Sequence, residues 1–182
     1  MGDRLVDLVR EGVDCVLRAG TLQDSSLVGR QIALMPQVTV ASPAYLARYG
    51  EPATLDDLEG HRAVDYVSSS SGRSLPLDFT VDGRNVLVRP GSVISVSGAE
   101  LYASAALAGL GLVQVPRYRV AEDLAAGRLK LVLPGAPPAP MPVSVLYPQN
   151  RQVSARVRVF SQWLAGIFGR AFGQDDQTMP VR

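Results

Sequence analysis

Ser97 and Glu100 stand three residues apart at the start of a helix-forming run, the spacing of a reciprocal capping box. In that arrangement a serine hydroxyl accepts from a backbone N–H of the first turn, and a glutamate reaches back to the cap. The N–H groups left over, together with the positive end of the helix macrodipole, favour an anion such as a carboxylate. The chemistry implied is therefore binding, not bond-making. The surrounding stretch reads Ile94-Ser-Val-Ser-Gly-Ala-Glu100 and continues as LYASAALAGLGLVQVP from Leu101 to Pro116. It predicts a strand, a cap, a helix over Ala99–Ala108, a left-handed stop at Gly109 and a strand over Leu110–Val115 covered on both faces. Open α/β sheets hold small ligands at such strand ends. The same grammar also serves a strand–helix–strand unit that meets no ligand, and the residue types leave both readings open.

Other reactive residues are few. His61 is the only histidine; it follows the helix stop at Gly60 and is expected in an exposed loop. Any Ser-His-Asp triad would need it, and no Gly-x-Ser-x-Gly elbow accompanies a serine. Cys15 is the only cysteine, so disulfides within one chain and thiolate-rich metal sites are excluded. It lies in an apolar run, which predicts a core thiol in preference to a nucleophile. Gly109-Leu-Gly111 follows its helix instead of opening one and lacks a third glycine, so it is no dinucleotide fingerprint. There is no P-loop lysine, metal-ligand cluster or informative carboxylate pair. The expectation is a protein that is not an enzyme and uses no cofactor or metal.

The elements that must position these residues alternate between helix and strand. With 182 residues and 47% hydrophobic content, the chain can bury a real core in one domain or two small lobes. A net charge of +1 and no Lys/Arg block leave no footprint for nucleic acid. No apolar run approaches the roughly 18 residues of a membrane span, and no signal peptide is recognised, which predicts a cytoplasmic protein with no membrane partner. A helix is expected over Asp3–Glu11, a strand over Val13–Leu17, a turn at Arg18-Ala19-Gly20 and an extended region over Arg30–Ala41. Ser42-Pro43 and Gly50 bracket a helix, and Thr54–Gly60 reads as another capped turn. Alternation at Leu77, Phe79, Val81 and again at Val86, Val88 around Asp82-Gly83 predicts a hairpin, hence an antiparallel edge. A polar loop (Ser68–Ser74) precedes it. Later come strands over Leu129–Leu133 and Val143–Tyr147, separated by the proline-rich Pro134–Pro142. Ser154 caps a helix with Val157, Phe160, Trp163, Leu164 and Ile167 on one broad apolar face, and a polar tail follows from Gly173.

Several stretches together resemble the effector-binding domain of LysR-type transcriptional regulators. They are Glu11-Gly-Val-Asp-Cys-Val-Leu-Arg-Ala-Gly20, Asp24-Ser-Ser-Leu-Val-Gly-Arg30, Ala41-Ser-Pro-Ala-Tyr-Leu46 and Thr54-Leu-Asp-Asp-Leu58. Ala105-Ala-Leu-Ala-Gly-Leu-Gly111, Gly127-Arg-Leu129, Tyr147-Pro148 and the closing helix continue the order, which covers about residues 3–170. Each motif is weak by itself; their joint order is fairly specific.

The resemblance implies an α/β, two-lobed fold of the periplasmic-binding-protein-like (type 2) kind. Lobe I would comprise residues 3–41 and 142–170, lobe II residues 42–141, with a disordered tail at 171–182. A small-molecule effector, such as a carboxylate, would lie between the lobes, lined by Arg18, Ala19 and Gly20 from lobe I and Ser95, Ser97 and Gly98 from lobe II. The family places a winged helix-turn-helix ahead of this domain, and nothing in this sequence resembles it, so DNA would be met only through that region. The first strand, first helix and second strand of lobe I are also unmatched, so lobe I is expected to be incomplete at its N-terminus and to associate as a homodimer or higher oligomer, or to be locally disordered. The other function class left open is a stand-alone periplasmic-type solute-binding protein for a small anion.

Overall fold

The computed structural model of the chain describes residues 13–21, 27–69, 71–148 and 154–172. The helix expected over Asp3–Glu11, the loop at Gln23–Ser26 and the polar tail lie outside the described residues.

Three strands come first: β1 (Val16–Ala19), β2 (Leu27–Met35) and β3 (Gln37–Ala41). Helix α1 (Pro43–Tyr49) and a 3-10 turn (Asp56–Gly60) lead to β4 (Arg62–Val67) and the two-residue β5 (Ser74–Leu75). Then follow β6 (Leu77–Val81), β7 (Arg84–Val88), β8 (Gly91–Val96), α2 (Ala99–Leu107) and β9 (Val113–Pro116). A second 3-10 turn (Arg117–Val120), α3 (Ala121–Ala125), β10 (Lys130–Leu131), β11 (Met141–Pro148) and α4 (Ala155–Phe172) complete the order.

Local chemistry explains several of these boundaries. Ser42 Oγ accepts from Tyr45 N at 3.3 Å, Pro43 occupies the first turn of α1, and Gly50 ends it at φ 86°. Asp82 and Gly83 both take positive φ, 48° and 73°, which matches the right-handed twist of the β6–β7 hairpin. Ser154 Oγ accepts from Val157 N at 3.3 Å and so starts α4. The expected capped turn at Thr54–Gly60 forms as a 3-10 turn over Asp56–Gly60 whose N-cap, Leu55, supplies no side-chain cap. Asp57 accepts from Ala53 N, Thr54 N and Thr54 Oγ1, which holds its carboxyl below the ordinary carboxylate range.

The described residues divide into two compact units, one over residues 36–139 and one made of residues before 36 with those from 140 onward. In the first, the order β10-β3-β9 is antiparallel, and β5-β4-β8 contains the parallel pair β4–β8. Leu112 bridges β4 in parallel, with Val64 N donating to Leu112 O at 3.0 Å and Leu112 N to Arg62 O at 2.9 Å. One core cluster gathers Tyr45, Leu58, Phe79 and Leu112; another gathers Val40, Val64, Tyr102, Val113 and Val115. Each such buried side chain contributes about 1.5–3 kcal/mol of transfer free energy.

The second unit is an antiparallel sheet, β1-β11-β2, with Leu164 of α4 packed against Ile32, Ala33, Val143 and Val145. Here the expectations shift. The first strand runs over Val16–Ala19, so Arg18 and Ala19 belong to the strand and only Gly20 turns. The strand expected over Leu129–Leu133 shrinks to Lys130–Leu131, because Leu133 turns at φ 52° and its carbonyl accepts from Ala136 N at 3.0 Å. Phe160 and Trp163, expected on the packed face of α4, are 43% and 59% exposed, since the helix packs on the sheet core through Leu164, Ala165, Phe168 and Phe172. Among the described residues no helix is long and apolar enough to cross a membrane.

Candidate functional site

β4 and β8 run parallel, with a register shift between Ala63 and Asp65 that sets Asp65 beside Ser95 and Tyr66 beside Val96. The chain leaves β8 at Val96, and α2 begins at Ala99, so the helix N-terminus lies at the carboxyl end of a parallel pair. The cap itself departs from expectation. Gly98, not Ser97, is the N-cap, at φ 97° and ψ 133°, and no side chain caps the helix. That backbone conformation is open to glycine and strained for serine. Moving the cap by one residue puts Leu101 where the capping box needs its glutamate, and the box is lost. Glu100 instead pairs with Arg119 of the second 3-10 turn. Ser97 is exposed, and Gly98 O accepts from Tyr102 N at 3.2 Å.

What fixes α2 against the sheet is a polar residue that the sequence reading did not single out. Gln114 N donates to Tyr102 Oη at 3.2 Å, and Gln114 Nε2 donates to Thr39 Oγ1 at 3.1 Å and Asp78 O at 2.7 Å. Gln114 Oε1 accepts from Asp78 N at 2.9 Å. The Asp78 carboxylate accepts from Ala139 N at 2.9 Å, and Gln37 Nε2 donates to Ala139 O at 2.8 Å. One glutamine thus joins α2, β3 and the hairpin. The Tyr66 and Tyr102 rings meet edge to face at 5.2 Å, and burial pushes the Tyr102 phenol up to about 12. A lone polar residue within the apolar 110–116 run was the available signal.

Asp65 lies partly buried, and Ser95 Oγ donates to its Oδ2 at 3.5 Å, the outer limit of a hydrogen bond.

Arg18, Ala19 and Gly20 belong to the other unit. Arg18 is partly buried and stands opposite Ser144 of β11, and Ala19 opposite Val143. Gly20, at φ 100°, donates its N–H to Pro142 O at 2.8 Å, and a Cβ there would meet nothing within 4 Å. Its requirement for glycine is conformational. Each trio is thus local to its own unit.

His61 is buried, 6% exposed, not a loop residue in solvent. Its ring packs against Tyr45 because α1 and the Asp56–Gly60 turn close over it, and burial lowers its pKa below 6.5. Cys15 is partly buried beside the α4 core, and burial followed by the Asp14 charge raises its pKa, the opposite of an activated thiolate. Among the described residues no group of three His, Cys, Asp or Glu could hold a metal. A recess of about 530 Å³ lies between Glu51–Leu55 and Leu133–Ala136, away from every expected site residue.

The family model described as LysR substrate binding domain matches residues 1–168. Among curated proteins, the chain is 42% identical over 167 residues to the uncharacterized HTH-type transcriptional regulator YhjC of Escherichia coli K12, covering 91% of this chain and 55% of that protein. It is 31% identical over 162 residues to the HTH-type transcriptional activator AaeR of the same strain, covering 89% of this chain and 52% of that protein. The chain therefore spans about half the length of these relatives. Among solved structures, the regulatory domain of CrgA, a LysR-type transcriptional regulator from Neisseria meningitidis, matches with a TM-score of 0.69 at 28% identity, covering 90% of this chain and 79% of that one. The effector domain of AmpR from Pseudomonas aeruginosa matches with a TM-score of 0.68 at 20% identity, covering 93% and 81%, a likeness of fold alone. The architecture is α/β of the type 2 periplasmic-binding-like kind.

Proposed function

This chain belongs to the LysR substrate binding domain family, and we propose that it senses a small-molecule effector, a carboxylate, on behalf of a LysR-type transcriptional regulator. The proposed contacts are Arg18, Ala19, Gly20, Ser95, Ser97 and Gly98. The observation that carries this reading is the helix N-terminus of α2 set at the carboxyl ends of the parallel strands β4 and β8. Ala99, Glu100 and Leu101 start that helix without a side-chain cap, so their N–H groups are available to an anion. Arg18 supplies the opposite charge. Effector binding then shifts the population of arrangements that the regulator samples.

In this reading the protein works in the cytoplasm as a homodimer or higher oligomer, is not an enzyme and needs no cofactor. DNA is met through a helix-turn-helix region that this chain does not match, in keeping with the "HTH-type" names of relatives of which it covers about half. A stand-alone solute-binding protein is not favoured, because the relatives are transcriptional regulators.

A thermal-shift screen of small carboxylates tests this. A ligand that binds only the folded protein raises the melting temperature by mass action, and Arg18→Met and Ser97→Ala should each diminish that rise. A carboxylate whose stabilising effect survived both substitutions would sink the assignment of these residues. The chain alone should leave a DNA fragment unshifted at physiological salt.

A further inference from the structure

The strand ends that border α2 also carry a negative charge that an anion-binding wall does not need. In the unit over residues 36–139, the partly buried Asp78 and Asp123 have strong partners, Ala139 N at 2.9 Å and the Arg128 guanidinium at 2.6 Å. Asp65 is also partly buried, yet among the described residues its side-chain hydrogen-bond partner is Ser95 Oγ at 3.5 Å. Among the described residues no arginine, lysine or histidine forms a salt bridge with it; Arg119 pairs with Glu100. A carboxylate accepts through two oxygens and about four lone-pair positions, so a single long bond leaves most of that capacity open. Ser95 itself is exposed, so the pair faces solvent at the strand ends and is not sealed in the core.

We infer that Asp65 is a specificity-determining residue: it makes this wall select carboxylates that also carry a hydrogen-bond donor, a hydroxyl or an ammonium group, over those with a methyl or a second carboxylate in that place. This rests on the effector-site reading above. The ligand carboxylate lies toward the α2 N–H groups and its donor toward Asp65 Oδ1 or Oδ2. A methyl group there would strip water from a carboxylate and return nothing, and a second carboxylate would meet like charge. A donor bonded to a charged acceptor is the strong case among hydrogen bonds.

The test uses isosteres that differ only at the donor. Isothermal titration calorimetry of the full chain compares 3-hydroxybutyrate and 3-aminobutyrate with 3-methylbutyrate, and 3-hydroxybenzoate with 3-methylbenzoate. The expected result is at least tenfold tighter binding of the donor-bearing member, the equivalent of about 1.4 kcal/mol. Asp65→Ala should abolish the difference, and Asp65→Asn, which keeps an acceptor but no charge, should abolish it for the ammonium and weaken it for the hydroxyl. Ser92→Ala, which removes a hydroxyl bonded to Ile94 O within β8, should retain the preference, and the comparison of donor with methyl members on the unsubstituted chain keeps the test decisive if the Asp65 variants melt early. Equal binding of methyl and hydroxyl members, or a preference that persists in Asp65→Ala or disappears in Ser92→Ala, overturns the inference alone. Failure of every carboxylate to bind at millimolar concentration overturns the effector-site reading, and this inference with it.

Discussion

Tyr45 and His61 share a hydrogen bond, with Tyr45 Oη 3.0 Å from His61 Nδ1. The same hydroxyl accepts from Arg62 N at 2.8 Å and donates to Arg62 O at 3.1 Å, so one phenol ties α1 to the start of β4. Burial lowers the His61 pKa below 6.5 and outweighs the pull of Asp57 toward the charged form. The folded state therefore holds the neutral ring, while the unfolded chain takes up a proton near 6.5. Stability from this group is present above pH 6.5 and is lost as pH falls below it toward the lower folded value. Thermal melts from pH 7.5 to 5 should show a falling transition temperature, and His61→Gln should flatten that slope. Equal slopes in the two proteins would remove His61 from the account.

Gly111 carries a steric prediction. A Cβ there would lie 2.8 Å from Arg62 O and 2.9 Å from Ala63 C, both backbone atoms that are held by the bridge to Leu112. Neither can move without breaking the bond from Leu112 N to Arg62 O. Gly111→Ala should cost about 3 kcal/mol in urea unfolding, toward the upper end for overpacking. Gly109→Ala forms the control, because its Cβ would meet Ser42 Oγ at an ordinary 3.4 Å and the cost comes from φ 76° alone. A Gly111→Ala protein as stable as Gly109→Ala would refute the close-approach argument.

Gln114→Ala would strand three groups at once: Asp78 N, Asp78 O and Thr39 Oγ1. Leaving buried polar groups unsatisfied costs about 1–3 kcal/mol each, and water entry would recover part of that, so a loss of about 3 kcal/mol is expected. Amide exchange at Asp78 should accelerate well beyond that of the remaining β6–β7 ladder. Unchanged protection at Asp78 would mean that the hairpin does not depend on the glutamine.

Local rules made part of this structure legible, and they fail where partners are distant in sequence. Ser42-Pro43 with Gly50, Asp82-Gly83 and Ser154 carry their causes within four residues, and each formed the expected element. Ser97 obeyed the same grammar and lost to its neighbour, since Gly98 can adopt the positive φ that the turn from β8 into α2 requires. His61 looked exposed because nothing adjacent covers it; its partner Tyr45 is 16 residues away. Gln114 bonds residues 36 and 75 positions distant, a relationship that no single-sequence periodicity encodes. For the candidate site, the strand–helix junction was readable, while Asp65 became visible only once parallel register set it beside Ser95.

The last prediction concerns the half of α4 that the sheet leaves uncovered. Val157, Ser161 and Leu164 form the buried stripe. Val159, Phe160 and Trp163 continue the apolar surface around the helix at 64%, 43% and 59% exposure, and the Phe160 and Trp163 rings stack 5.9 Å apart. Leu164→Ala should cost about 2–5 kcal/mol, as removal of a buried side chain does. Trp163→Ser should change stability by no more than about 0.5 kcal/mol, as at exposed sites. An exposed apolar patch of this kind favours association, so the sedimentation coefficient of the chain should rise with concentration. Phe160→Ser with Trp163→Ser should suppress that rise, whereas Leu164→Ala should act on stability. A concentration-independent monomer, or association that ignores the double substitution, would show that this face is not what brings copies together.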